Sequence, residues 1–225
     1  MVVAESLSHD GALVTLHRDR QSPALITCHA ETPVVTPRVE LFRAGKRELR
    51  MAVLFPSGHL PGSRKLPVLM DPYGGPGGQR VTAERNQYLV SPWFADQGFA
   101  VVAADGRGTP GRGPAWERAV YGDRGTMALT DQVDALHAAA ERHPDLDLDL
   151  GRVGIRGWSF GGYLAALAVL REPEVFHAAV AGAPVTDQRL YDTHWNERFL
   201  GDPREVPEAY ERSSLIGEAK NPSRP

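Results

Sequence analysis

Gly157-Trp158-Ser159-Phe160-Gly161-Gly162-Tyr163 is the stretch whose reading decides the fold. An apolar run, Val153-Gly154-Ile155, precedes it, and an apolar stretch with helical character, residues 164–170, follows. The order is strand, sharp turn, helix, with a serine at the apex. Glycines on both flanks let the backbone pass tightly enough to hold the hydroxyl up and exposed. The next residue opens the helix, so its N–H is available to a negative charge developing beside that hydroxyl. Ser159 is a candidate nucleophile and Phe160 a candidate oxyanion donor. An inert serine in a glycine-rich turn is the competing reading.

Outward from this turn the chain alternates strand and helix. Strands are expected over 49–55, 66–70, 99–104, 153–155 and 178–183. The third is apolar throughout, as a strand buried on both faces should be. Helices are expected over 130–143, where Val133, Leu136 and Ala140 recur at helical spacing and Thr130 caps, and over 187–200, stopped by Gly201. The alternation predicts an α/β fold with a doubly wound, mostly parallel sheet. Residues 1–30 differ. Their short alternating segments, 12–16 and 24–28, read as antiparallel strands, and the two prolines in 31–37 suit a linker.

Bulk properties remove several classes of function. The chain has 225 residues, 42% of them hydrophobic, enough for a sizeable core. A net charge of −3 with scattered Arg and Lys argues against a nucleic-acid partner. The single cysteine, Cys28, allows neither a disulfide framework nor a cysteine metal site, and reads as a buried thiol. No run is long and apolar enough for a membrane span, no leader pattern opens the chain, and the cytoplasm is the expected compartment.

Three patterns imitate cofactor or metal sites. Gly106-x-Gly108-x-x-Gly111 follows a strand like a dinucleotide fingerprint, but Gly113-Pro114 continues the loop and Asp131 stands in a helix where a ribose-binding acid should end a strand. Asp145, Asp147 and Asp149 alternate like calcium ligands, yet Leu150 and Arg156 occupy the positions that need glycine and glutamate. His137 and His143 are six apart and miss the helical zinc spacing. No cofactor and no metal are expected.

Two further segments bear on Ser159. The loop Asp71-Pro72-Tyr73-Gly74-Gly75-Pro76-Gly77-Gly78 leaves a predicted central strand, at the end where α/β sheets bind ligands. Its glycines permit close backbone approach, and the Tyr73 phenol is a credible oxyanion donor. A tight turn with a packed tyrosine satisfies the same pattern. On the predicted last helix Asp187, Tyr191 and Trp195 share one face, suited to core packing or to an apolar pocket.

Together these segments resemble the prolyl oligopeptidase family of α/β-hydrolases, in its dipeptidyl-peptidase-IV-like branch. The serine turn is similar to that family's nucleophile segment, and Asp71–Pro76 to its oxyanion-tyrosine loop. Asp105-Gly106-Arg107-Gly108-Thr109 is similar to its loop after the next strand. Ala183-Pro184-Val185-Thr186-Asp187, with Tyr191 through Phe199, resembles the segment lining its S1 pocket. The resemblance runs from about Val39 to Gly201. It implies Ser159 as nucleophile, an oxyanion hole from the Tyr73 hydroxyl and the Phe160 N–H, and a pocket lined by Phe160, Tyr163, Val185, Tyr191 and Trp195. Such a pocket suits proline or alanine at P1, whereas a charged side chain there would be desolvated unpaired. Two positions depart from the pattern: Gln188 stands where tryptophan is usual, and Trp195 where tyrosine is.

The implied activity is that of a serine peptidase acting through an acyl-enzyme and releasing N-terminal dipeptides after Pro or Ala. The partner is a peptide substrate, and the full-length enzyme could form a homo-oligomer. Alternatives on the same fold are an oligopeptidase, an acylaminoacyl-peptidase or an esterase. In the α/β-hydrolase fold the triad follows the order Ser, Asp, His, and the expectation is that the last two lie beyond Pro225. The chain is then an α/β-hydrolase domain, residues 39–225, incomplete at its C-terminus, preceded by a propeller remnant and linker, residues 1–38. By itself it is expected to be inactive, or a binding module, and poorly soluble because segment 178–183 becomes a bare sheet edge.

Overall fold

A computed structural model describes residues 2–4, 7, 12–15, 24–26, 29, 31–142, 147–220 and 223–225. Cys28, His143 and Asp145 lie outside the described residues.

Two sheets form. The first is a small antiparallel meander of β1 (Val2–Ala4), β2 (Ala12–Thr15) and β3 (Ala24–Ile26). The second has six strands: β4 (Glu40–Ala44), β5 (Leu49–Leu54), β6 (Leu66–Met70), β7 (Ala100–Asp105), β8 (Leu148–Trp158) and β9 (Ala178–Gly182). Their spatial order is β4-β5-β7-β6-β8-β9. β4 and β5 form a hairpin, β5 runs antiparallel to β7, and the remaining pairs are parallel. The sheet is mostly parallel, as the strand–helix alternation predicts, and it has the α/β-hydrolase form that the resemblance implies.

Period-2 alternation sends each strand's residues to two cores. Met51, Val53, Ala100, Val102 and Ala104 join the large core, packed with α3 (Thr126–Arg142) and α4 (Phe160–Arg171). Ala52, Leu54, Val101 and Ala103 face the other side, with Tyr88 and with Ala95 of α1 (Ser91–Asp96). Because β6 to β9 are parallel, the loops after Met70, Asp105, Trp158 and Gly182 emerge at one end of the sheet. That shared end is where a site can be assembled from segments far apart in sequence.

Several local expectations are revised. α3 begins at Thr126, not Thr130. Asp123 caps it, accepting from the Gly125 and Thr126 N–H groups at 3.1 and 2.9 Å, while the Thr130 hydroxyl donates back to the Thr126 carbonyl. β8 starts at Leu148, five residues early, and residues 150–152 bulge out between its pairings with Pro67 and Val68. The single helix over 187–200 is two elements. Asp187 caps a 3₁₀ turn, Gln188–Leu190, and Asp192 caps α5 (Thr193–Leu200), accepting from the Trp195 N–H at 2.7 Å. Each aspartate competes for backbone donors and so restarts the helix. Pro114 does not continue the loop: it opens α2 (Pro114–Arg118), where its missing N–H costs nothing. α6 (Pro207–Ser213) follows α5. β9 is the sheet edge, with Ala178, Val180 and Ala181 exposed and the Ala179 N–H donating to the Pro225 carbonyl at 3.0 Å.

Candidate active site

Ser159 sits between β8 and α4 with φ 57° and ψ −116°, a strained conformation for a residue with a side chain. The turn is clamped through its backbone: the Ser159 N–H donates to the Gly182 carbonyl, and its carbonyl accepts from the Tyr163 N–H, both at 2.9 Å. Two glycines are required by close approach. A Cβ on Gly157 would lie 2.2 Å from the Gly161 backbone, and one on Gly161 would lie 2.7 Å from the Pro72 carbonyl oxygen. The second contact is informative, because it lays the Tyr73 loop directly on the first turn of α4.

That loop is tied down at its base. The Asp71 N–H donates to the Val102 carbonyl at 2.7 Å, and the Asp71 carboxylate pairs with Arg80 at 2.7 Å and Arg156 at 3.7 Å. Further on, the buried Asp105 carboxylate accepts from the Arg80 and Val81 N–H groups at 2.9 and 3.0 Å. Burial pushes its carboxyl pKa above the usual range against the pull of those donors. The Tyr73 ring lies 6.0 Å from that of Phe160, which lies 5.4 Å from that of Tyr163. Burial raises the Tyr73 phenol pKa and the Arg124 charge opposes that rise, so at neutral pH the hydroxyl keeps its proton and can donate.

All seven residues singled out from the sequence border one cavity of about 190 Å³: Ser159, Tyr73, Phe160, Tyr163, Val185, Tyr191 and Trp195. Trp195 is positioned by α5, and its ring packs 5.2 Å from that of Phe199. Asp187, grouped with Tyr191 and Trp195 as one helical stripe, is not in the lining. With the helix broken, its carboxylate turns to Arg189 and to the Ser214 hydroxyl.

Sequence reasoning missed two wall residues, Arg124 and Gln188 as a polar member. Arg124 is only 3% exposed. Its Nη1 donates to the Gln188 side-chain oxygen at 3.0 Å and to the Asn196 side-chain oxygen, and its guanidinium lies over the Phe160 and Phe199 rings at 5.2 and 5.4 Å. The one available signal was Gln188 itself, an amide where the resemblance leads one to expect a tryptophan wall.

No histidine or carboxylate of the described residues shares the cavity with Ser159. His177 accepts from the Val153 N–H at the opposite end of the sheet, His194 is exposed on α5, and Asp192 is spent as a cap. The Gly106–Gly111 loop is tied down by internal hydrogen bonds. Asp131 is fully buried and accepts from the Arg107 N–H at 2.6 Å and from its guanidinium at 2.7 Å, while the Trp116 indole and the Thr109 hydroxyl both donate to the Gly106 carbonyl. Among the described residues no cluster of His, Cys, Asp or Glu is suited to a metal, and no helix is long and apolar enough to cross a membrane.

A serine on a strained strand–helix corner, with a tyrosine loop pressed against it, defines an α/β-hydrolase site. The chain belongs to the prolyl oligopeptidase family, whose model matches residues 86–225. It is 38% identical over 179 residues to human (Homo sapiens) dipeptidyl peptidase 8, covering 77% of this chain and 19% of that protein. It is 36% identical over 169 residues to a probable dipeptidyl-aminopeptidase B of Coccidioides posadasii (strain C735), covering 75% and 18%. The crystal structure of Porphyromonas gingivalis dipeptidyl peptidase 4 superimposes with a TM-score of 0.82 at 27% identity, over 99% of this chain and 32% of that one. The chain thus spans about a fifth of the length of the curated relatives it matches.

Proposed function

We propose that the protein containing this chain is a serine peptidase that releases N-terminal dipeptides from peptide substrates. The observation that carries the reading is the convergence of Ser159, Tyr73 and the Phe160 backbone on one cavity with aromatic walls. Ser159 attacks the scissile carbonyl while a general base of the whole protein takes its hydroxyl proton and later delivers it to the leaving nitrogen. The carbonyl oxygen becomes an oxyanion, facing the Phe160 N–H at the start of α4 and the Tyr73 hydroxyl. Collapse of the tetrahedral adduct expels the amine and leaves an acyl-enzyme that water hydrolyses. The P1 side chain enters between Tyr163, Val185, Tyr191 and Trp195, a space suited to proline or alanine. The relatives' names favour dipeptide release over the oligopeptidase, acylaminoacyl-peptidase and esterase alternatives. On this reading residues 1–38 are the end of a preceding β domain and its linker, and residues 39–225 belong to the hydrolase domain.

The test uses protein expressed from its intact gene. A fluorophosphonate should label it at Ser159, and Ser159→Ala should lose both the label and hydrolysis of Ala-Pro-p-nitroanilide. Acetylating the substrate's amine should abolish cleavage. A Ser159→Ala protein that still hydrolyses the dipeptide substrate refutes the nucleophile; faster cleavage of the acetylated form refutes dipeptide release.

A further inference from the structure

The cavity wall holds a cation that nothing described neutralises. Arg124 comes from the loop before α3 and is buried, yet no carboxylate of the described residues pairs with it. Its partners among the described residues are two neutral carboxamides, Gln188 and Asn196, and two aromatic faces. A guanidinium carries five N–H donors. Both donors on Nη1 are used, but the Nε–H is buried without any acceptor. The carboxamides are themselves held in place. The Asn196 amide donates to the Gln188 backbone carbonyl, and the Gln188 amide donates to the Val185 carbonyl at 3.3 Å. Burial lowers the Arg124 pKa, and the strongest charge effects on it come from four tyrosines, Tyr163, Tyr73, Tyr191 and Tyr210.

A buried charge without a counter-charge is costly, and cation–π contacts offset only part of that cost. Among the described residues the cavity lining holds no aspartate or glutamate that would repel an incoming anion. We propose that Arg124 is a specificity determinant of this cavity, giving it preference for a P1 side chain that ends in a carboxylate, aspartate or glutamate, over the isosteric amide. The inference rests on the peptidase reading and extends its P1 range beyond proline and alanine. The carboxylate meets the guanidinium in the wall, and the ion pair forms where water has been excluded. On this proposal an acidic P1 side chain is paired, whereas a P1 lysine would be desolvated beside the guanidinium without a partner.

The test compares Ala-Xaa-p-nitroanilides with Xaa Glu, Gln, Asp, Asn, Lys and Pro, using protein from the intact gene. Hydrogen bonds to charged groups are worth about 1.5–3 kcal/mol, which is about a 10- to 150-fold effect. The expected kcat/KM ratio of Glu to Gln, or of Asp to Asn, is therefore tenfold or more, with Lys the poorest substrate. Arg124→Met should bring both ratios to one or below. Because the unaltered protein supplies the ratio, misfolding of that variant leaves the test intact. Calorimetric binding of Ala-Glu against Ala-Gln to the Ser159→Ala protein reads the same preference without turnover. A Glu-to-Gln ratio at or below one in either measurement overturns the proposal, even if Ala-Pro is cleaved well. Failure to cleave any member, with charge preference retained in binding, instead overturns the peptidase reading.

Discussion

Gly161→Ala tests the contact on which the site depends. The added methyl carbon would lie 2.7 Å from the Pro72 carbonyl oxygen and 3.5 Å from the Tyr73 Cα. Both neighbours are backbone, so neither can swing away as a side-chain tip would. An ordinary contact begins near 3.4 Å, so the Tyr73 loop and the first turn of α4 must separate by about 0.7 Å. Overpacking of this kind costs about 1–3 kcal/mol. For a chain of this size that lowers the melting midpoint by about 2–12 °C. Displacements approaching 1 Å in a reacting geometry cost about 100-fold in rate, and this one moves the phenol away from the serine. The expected result is a 10- to 100-fold slower second-order rate of fluorophosphonate labelling at Ser159, measured alongside the midpoint. Gly217→Ala is the control, since a Cβ there meets nothing within 4 Å. A Gly161→Ala protein that labels within twofold of the unaltered protein, with an unchanged midpoint, would refute the coupling of loop and turn.

Tyr73→Phe removes the hydroxyl but keeps the ring against Phe160. Loss of one oxyanion donor costs about 3–4 kcal/mol, so kcat on Ala-Pro-p-nitroanilide should fall several hundred-fold with little change in KM; a loss under threefold removes Tyr73 from the mechanism. Alkaline pH should destabilise the fold through buried phenols. Burial pushes Tyr88 up to about 12 and raises Tyr73 and Tyr163 as well. A group whose pKa is higher folded than unfolded contributes stability that is complete below pH 10 and lost as pH rises toward 12. Melting midpoints should therefore decline across that window while phenolate absorbance at 295 nm lags behind that of free tyrosine; a flat midpoint to pH 12 would contradict the burial argument.

Long apolar signals were legible in the sequence. The β6 boundaries, the run that became β7 and the helix after Ser159 all follow from burial on both faces or from helical spacing, which sequence carries directly. What escaped was short or half-exposed. β4 sets Leu41 and Phe42 side by side between Glu40 and Arg43 and buries only Ala44, so its pattern is weak. Helices α1, α2 and α6 each have a proline in their first two positions. Proline reads as a breaker when it is weighed alone, but at a helix start its fixed φ and missing N–H fit. The break at Tyr191 depended on two aspartates acting as caps in place of sharing a face, a choice made by backbone geometry and not by spacing.

The site divides along the same line. Ser159 and the glycines around it announce themselves because the turn needs them locally, and Tyr73 follows from its place at a strand end. Arg124 carries no such mark. It is 64 residues from Gln188 and 72 from Asn196, and only the assembled sheet brings them together. Once they meet, the three positions behave as one unit. A tryptophan at 188 would remove one of the two oxygens on Nη1 and leave the cation still less satisfied, whereas an apolar residue at 124 would strand two carboxamides in an aromatic wall. The polarity of this pocket therefore belongs to the set, and Gln188→Trp and Arg124→Met should each be worse alone than together. Such non-additivity distinguishes a coupled unit from two independent wall residues, for which the costs would add.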